Sequence, residues 1–232
     1  MSGWGRSGGG VRAQTPPEPS KDDAGRRSSL VHAPPPRCWR ISSLAVLACL
    51  AVIAAADLMM WLLKPLPVGV QGLLDETAHA ATGLVALSAS GVAFELPVVL
   101  AVLGGSLLID SDHVPGLLGS DVLTHGTPRP YTHSLVSVIA VAAAAMLARR
   151  DARKLVVVSG LALVMHFFRD MTEPDGVGVA WLWPLSDRSF ALGYVWYAAA
   201  MGAFAATALA VRQLMSGRSA IAGLLAGHAR LR

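Results

Sequence analysis

The stretch Asp110–Ser134, which reads DSDHVPGLLGSDVLTHGTPRPYTHS, decides how this chain is organised. It lies between two long apolar segments and concentrates polar side chains that a membrane helix holds only at high cost. The candidate functional residues in it are Asp110, Asp112, His113, Asp121, His125, Arg129, His133 and Ser134. Imidazole nitrogens and carboxylate oxygens at this density are the usual ligands of zinc, manganese or iron. The stretch therefore predicts a metal site.

The composition of the whole chain indicates a membrane protein. Hydrophobic residues make up 53% of its 232 residues, and charged residues make up 15%, against roughly 25% in soluble domains. The two cysteines, Cys38 and Cys49, have no CxxC partner, so no disulfide framework is expected. The net charge of +4 comes from basic residues at the predicted membrane borders, which argues against a nucleic-acid partner.

The apolar segments predict an all-α, polytopic helical membrane protein with about six transmembrane helices, or five if the first is cleaved as a signal peptide. The predicted spans are Ile41–Leu63, Gln71–Gly91, Leu96–Ile109, His133–Leu147, Leu155–Phe168 and Phe190–Leu214. Ala54, Ala55 and Ala56 are the small residues at which a signal peptidase would cut. We favour a first span that is retained, because the apolar run continues beyond them to Leu63. Residues 1–40 are predicted to be a disordered cytoplasmic tail, 41–214 the transmembrane domain, and 215–232 a short basic cytoplasmic tail.

The distribution of lysine and arginine predicts the orientation in the membrane. Basic residues cluster before the first span, at 149–154 and after Arg212. By the positive-inside rule these regions are cytoplasmic, which places both termini of a multi-pass plasma (inner) membrane protein inside the cell. Five of the seven histidines then fall on the outer face, so their side chains are able to meet there.

Four segments deliver ligand-type residues to that face: Asp75/Glu76/His79, Asp110/Asp112/His113, His125/Arg129/His133 and His166/Asp170. We expect them to bind one or two divalent metal ions, zinc or manganese, because helix ends in a bundle commonly build such sites. The predicted metal ligands are His79, Asp112, His113, His133, His166 and Asp170. The predicted catalytic residues are Glu76, Asp110 and Arg129, and the predicted substrate-binding residues are Arg129, Ser134 and His125.

The order of these motifs resembles the YdjM-type membrane-bound metal-dependent hydrolases. The resemblance spans about residues 73–190 and rests on His79-x-x-x-Gly83, Asp110-Ser-Asp112-His113, Arg129-x-x-Thr132-His133-Ser134, His166-x-x-x-Asp170 and Trp183-Pro184. It implies a small helical membrane protein that binds a metal and hydrolyses a substrate. The chain departs from the expected pattern in one place, because Pro128, and not a histidine, directly precedes Arg129.

The leading functional hypothesis is a metal-dependent hydrolase at the extracytoplasmic membrane–water boundary. A metal-activated water would attack an ester or phosphoester of a small molecule, a lipid or a lipid-linked substrate, with the lipid bilayer as the protein's surroundings. Two alternatives remain open: a non-catalytic membrane protein with a structural metal site, and a metal or proton transporter. A lipid phosphatase of the phosphatidic-acid phosphatase type is disfavoured, because Gly160 stands where that type has an arginine six residues before His166.

Overall fold

The computed structural model describes residues 42–124, 127, 129–172 and 177–229, with side chains through residue 215. The described chain is all-α, as the sequence predicts. Its principal helices are α1 (Ser43–Leu62), α2 (Val68–Ala89), α3 (Leu96–Leu107), α4 (Leu135–Leu147), α5 (Arg150–Met171) and α6 (Tyr194–Ala229). A 3₁₀ helix, Ile109–His113, and one α-helical turn, Val114–Leu117, follow α3. The predicted tail of residues 1–40 lies outside the described residues.

Among the described residues, three helical segments are long and apolar enough to cross a membrane: Ser43–Leu62, Leu96–Leu117 and Tyr194–Met215. The helix Leu135–Leu147 is apolar but shorter. Helices α2 and α5 have 22 residues each and are more polar, because they carry several of the candidate donors. The all-α membrane architecture is therefore confirmed.

The start of α5 lies further toward the N-terminus than the sequence predicts. The predicted span begins at Leu155, whereas the helix begins at Arg150 and includes the basic residues of the 149–154 segment. Asp151 in the first turn is favourable there, because a carboxylate stabilises the positive end of a helix dipole. Lys154 pairs with Glu95, the residue that directly precedes α3, with 3.2 Å between Nζ and Oε1. Arg150, Arg153 and Lys154 therefore belong to the first turns of α5.

The start of α6 also differs from the prediction. Phe190 is not helical, because its backbone pairs with Val179 in an isolated antiparallel β-bridge. The two N–H groups donate to the opposite carbonyl groups at 2.9 and 3.0 Å. Helix α6 begins at Tyr194 and continues through Ala229, beyond the Leu214 end of the predicted span.

The two more polar helices, α2 and α5, lie at the centre of the packing. One core cluster joins them to α1 and α6 through Ile53, Ala81, Val85, Ala86, Met165, Tyr197 and Met201. A second cluster joins them to α3 through Leu87, Val98, Val102, Val158 and Ala162. The apolar helices α1, α3 and α6 therefore surround the polar ones, which shields donors on α2 and α5 from lipid.

Glycine at two positions allows helix α3 to lie against its neighbours at short range. A Cβ added at Gly105 would collide with the backbone carbonyl of Ser159 on α5, and one at Gly83 of α2 would collide with the Ser106 side chain of α3. Small residues at helix contacts are how membrane helices approach closely. This close approach also brings the carbonyl of Ser106 next to His166 of α5.

We predict that Gly105→Ala destabilises the protein and that Gly104→Ala does not. The collision with the Ser159 backbone forces α3 away from α5, and overpacking of this kind costs about 1–3 kcal/mol. A Cβ at Gly104 would meet only Leu108 at 3.7 Å, which is ordinary contact. Thermal unfolding in detergent measures the difference. Equal melting temperatures for the two variants would contradict the close contact.

Candidate metal centre

Two buried histidines at the centre have their tautomers fixed by hydrogen bonds. His133 precedes α4, and its Nδ1 lies 3.2 Å from the Oδ2 of Asp112; His166, on α5, has its Nδ1 2.8 Å from the carbonyl oxygen of Ser106. A carboxylate and a carbonyl only accept, so both Nδ1 atoms donate. A hydrogen bond of this kind sets which imidazole nitrogen remains for a metal. The two Nε2 atoms are therefore the nitrogens that remain available to a metal.

These two Nε2 atoms and two carboxylate oxygens form a compact group of four donors. The nitrogens are 3.2 Å apart; Asp110 Oδ1 lies 3.0 Å from His133 Nε2 and 3.3 Å from His166 Nε2. Asp170 Oδ2 lies 3.4 and 3.3 Å from the same two nitrogens. Donors around a tetrahedral zinc ion with bonds of about 2.0–2.1 Å are about 3.3 Å apart. Five of the six distances among the four donors are therefore close to those around such an ion, and the donor atoms suit it chemically.

Asp170 is a buried carboxylate with unfilled hydrogen-bonding capacity, although the Arg129 guanidinium lies 3.4 Å from its Oδ2. Its side chain is fully buried, and neither oxygen has a hydrogen-bond donor in place among the described residues. His79 Nε2 lies 3.2 Å from Asp170 Oδ1 and is likewise without a hydrogen bond within the described chain. Buried carboxylates are ordinarily paired or bound to a metal, because an unpaired charge is costly in a protein interior.

The other predicted metal ligands surround the four donors. The ring of His79 stacks on that of His166, with 3.8 Å between ring centroids. The Nε2 of His113 lies 3.5 Å from Asp110 Oδ1, on the accessible side, with 36% of its side chain exposed. Asp112 lies behind His133 and also accepts a short hydrogen bond from the hydroxyl of Thr132. The structure thus brings all six predicted ligands to one place and groups Asp110 with them.

Asp110, a predicted catalytic residue, is itself one of the four donors, and Arg129 lies beside them. Its Nη1 lies 3.4 Å from Asp170 Oδ2, and its side chain is 11% exposed. Glu76 on α2 faces the carboxyl group of Asp110, and its Oε2 is buried without a hydrogen bond to any described residue. Ser134 is buried at the start of α4 and does not cap it. His125 lies outside the described residues.

Two contacts of the centre were not predicted from the sequence. The Ser106 carbonyl accepts a hydrogen bond from His166, and Thr132, predicted only as part of a motif, donates to Asp112. No sequence signal identifies a backbone carbonyl as a hydrogen-bond acceptor, because every residue has one. The contact with Asp112 places Thr132 beside the hydrogen bond that orients His133. The only sequence signal for the role of Thr132 is that it directly precedes His133 in the motif.

Two opposing effects act on the protonation of His133. Burial disfavours the charged imidazolium and by itself would lower the pKa. The hydrogen bonds with Asp110 and Asp112 raise the pKa by more than burial lowers it. The pKa of His133 is therefore raised above its usual value. A metal has to displace the proton of the charged imidazolium to reach Nε2.

Comparison with known proteins identifies the family. Residues 74–229, about two thirds of the chain, match the YdjM inner membrane protein family. The chain belongs to this family. No curated protein and no solved structure matches the chain. Membership agrees with the three apolar helices, so the protein is a membrane protein, and the matched region contains the whole donor group.

We predict that Asp112→Asn weakens metal binding by this YdjM-family protein by about 10–100-fold, the usual effect of losing a carboxylate that orients a histidine ligand. An amide has the same shape as the carboxylate but no charge with which to hold His133. Competition with a metal chelator measures the affinity. Asp151→Asn, at an exposed position in the first turn of α5, is the control and should bind as the parent does. Unchanged affinity in Asp112→Asn would contradict the orienting role.

We also predict that metal binding releases protons and weakens as the pH falls. The raised pKa of His133 in the metal-free centre means that metal and proton compete for Nε2 over a pH range that extends above the usual imidazole value. Affinity should therefore fall steadily as pH is lowered from about 8 to about 6. Titration of the metal into weakly buffered protein, with a pH indicator, measures the release. Metal binding without proton release across this range would contradict the prediction.

Proposed function

We propose that this protein is a membrane-embedded metal-dependent hydrolase that cleaves an ester or a phosphoester. The observation that carries the proposal is the group of four donors from His133, His166, Asp110 and Asp170, whose spacing and fixed tautomers fit one divalent ion. Zinc suits two imidazole nitrogens and two carboxylate oxygens, and manganese is the alternative. The prediction of a second ion stays a prediction.

The unequal exposure of the four donors supports catalysis. The side chains of His133, His166 and Asp170 have no exposed surface, whereas that of Asp110 is 16% exposed. Two histidines and one carboxylate are a common set of permanent ligands in catalytic zinc sites, which keep a further position open for water or substrate. Asp110 occupies the accessible corner, so this is where water and substrate would enter.

The chain's own residues supply the remaining roles. A bound dication lowers the pKa of a coordinated water and polarises a carbonyl or phosphoryl oxygen. Asp110 at the accessible corner accepts the proton of the attacking water, as the sequence predicts, and Glu76 faces it to receive that proton in turn. Arg129, beside Asp170, binds the substrate anion, because its planar guanidinium pairs with two phosphate or carboxylate oxygens.

The position of the basic residues supports the predicted topology. The donors of α5 lie near its C-terminal end, and the basic residues Arg150, Arg153 and Lys154 lie in its first turns. With the basic end cytoplasmic, six spans put the donor group at the outer boundary of the plasma membrane and both termini inside. A substrate that reaches this depth is a lipid, a lipid-linked molecule or a small molecule from the outer side.

A structural metal site is the second candidate, because four protein donors around one ion are typical of closed, non-catalytic zinc sites. The two functions differ in what Asp110 does. If Asp110 is a permanent ligand of a structural ion, its removal releases the metal. If it is the proton acceptor of a hydrolase, its removal stops hydrolysis while three ligands retain the metal.

The test is metal content by elemental mass spectrometry on detergent-purified parent and variants, with hydrolysis of chromogenic esters and phosphoesters measured beside it. We expect stoichiometric metal in the parent, its loss in His166→Ala and Asp170→Asn, and metal without activity in Asp110→Asn. Asp151→Asn, at the opposite end of α5 from Asp170, is the matched control and should retain both metal and activity. Parent protein that binds no zinc or manganese even after reloading would refute the proposal, and metal loss in Asp110→Asn would favour the structural site.

A further inference from the structure

A buried arginine links the first helix to the metal centre. Arg169 is 3% exposed and precedes Asp170 on α5. Its Nη2 lies 2.6 Å from Oδ1 of Asp57 on α1 and 3.2 Å from Oδ1 of Asp75 on α2. Its guanidinium carbon lies 5.4 Å from the centroid of the Tyr197 ring of α6. One cation thus holds three neighbouring helices, and neither it nor Asp57 has a role in the proposed reaction.

The second partner of Arg169, Asp75, lies beside His79, which contacts the donor group. Asp75 directs the same oxygen, Oδ1, toward His79 Nε2 at 3.6 Å. His79 Nε2 lies in turn 3.2 Å from Asp170 Oδ1, and its ring stacks on the ring of His166. The position of Asp75 therefore affects the position of His79, and His79 contacts two of the four donors.

Asp57 determines how strongly Arg169 attracts Asp75. Its carboxylate is held from both sides, because Oδ2 accepts a hydrogen bond of 2.5 Å from the Tyr194 hydroxyl and Oδ1 binds Arg169. Without this carboxylate, Asp75 would be the one carboxylate left beside the guanidinium among the described residues, and the guanidinium would draw it away from His79. His79 would then lose one of the two carboxylates that fix its ring.

We propose that Asp57 is a positioning residue of the metal centre, acting through Arg169 and Asp75 on His79. The inference rests on the proposed metal site. It also extends the functional unit beyond the family match, which begins at residue 74 and leaves out α1. Helix α1 is then part of the site and not only a membrane anchor, and a chain lacking α1 would bind metal weakly.

The test compares metal affinity in Asp57→Asn and the parent by competition with a chelator, using zinc as the probe. We expect a loss of about tenfold, at the low end of the effect seen for residues that orient metal ligands, because two residues, Arg169 and Asp75, lie between Asp57 and His79. Asp57→Glu keeps the charge and should restore most of the affinity. Tyr194→Phe keeps Asp57 but removes its second hydrogen bond, so it should give a smaller loss.

Val46→Ala is the matched control for a purely structural role of α1. Val46 is 3% exposed on the same helix and packs against Ala205 and Ala208 of α6. Its truncation should lower the melting temperature and leave the zinc affinity unchanged. Zinc affinity therefore separates the positioning role from a purely structural one. At a similar loss of stability, Asp57→Asn should lower the zinc affinity and Val46→Ala should not.

Arg169→Gln provides an independent check on the pathway. If Asp57 acts through Arg169, the double variant Asp57→Asn/Arg169→Gln should lose no more affinity than Arg169→Gln alone, because coupled residues are not additive. Zinc affinity in Asp57→Asn within twofold of the parent would overturn the inference and leave the proposed hydrolase intact. Parent protein that binds neither zinc nor manganese would overturn both.

Discussion

The structure depends on two imidazole nitrogens that face each other in a buried space between two carboxylates. Hydrogen bonds from Nδ1 to Asp112 and to the Ser106 carbonyl orient His133 and His166 so that their Nε2 atoms are 3.2 Å apart. Such an arrangement of lone pairs and negative oxygens is repulsive unless a cation lies among them. A proton satisfies part of this requirement, and a divalent metal satisfies it with the spacing observed.

The order of the helices follows from the need to bury this centre in a membrane. The four donors lie on or beside α3, α4 and α5, His79 joins them from α2, and the most polar helices are central. Helices α1 and α6 cover them with apolar surface on the lipid side. Close contacts at Gly83 and Gly105 bring α3 near enough for its Ser106 carbonyl to reach His166. The same contacts therefore set both the packing and the ligand geometry.

Much of this arrangement could be predicted from the sequence. Apolar length predicted the helices, and the positions of His79, His133, His166 and Asp170 at polar helix ends predicted that they meet. Helix boundaries were less predictable at Arg150 and Phe190, because a basic helix start and an isolated β-bridge leave little pattern in the sequence. The contacts of Asp57 with Arg169 join residues 112 positions apart, and periodicity within one helix contains no information about such a pair.

The central claim is that two histidine nitrogens and carboxylate oxygens hold one metal ion. X-ray absorption at the zinc edge of zinc-loaded, detergent-purified protein tests it most directly. The account predicts four light-atom ligands at about 2.0–2.1 Å, with the multiple-scattering signal of two imidazole rings and no sulfur. An oxygen-only shell without imidazole scattering would contradict it, because the metal would then be bound elsewhere than between His133 and His166.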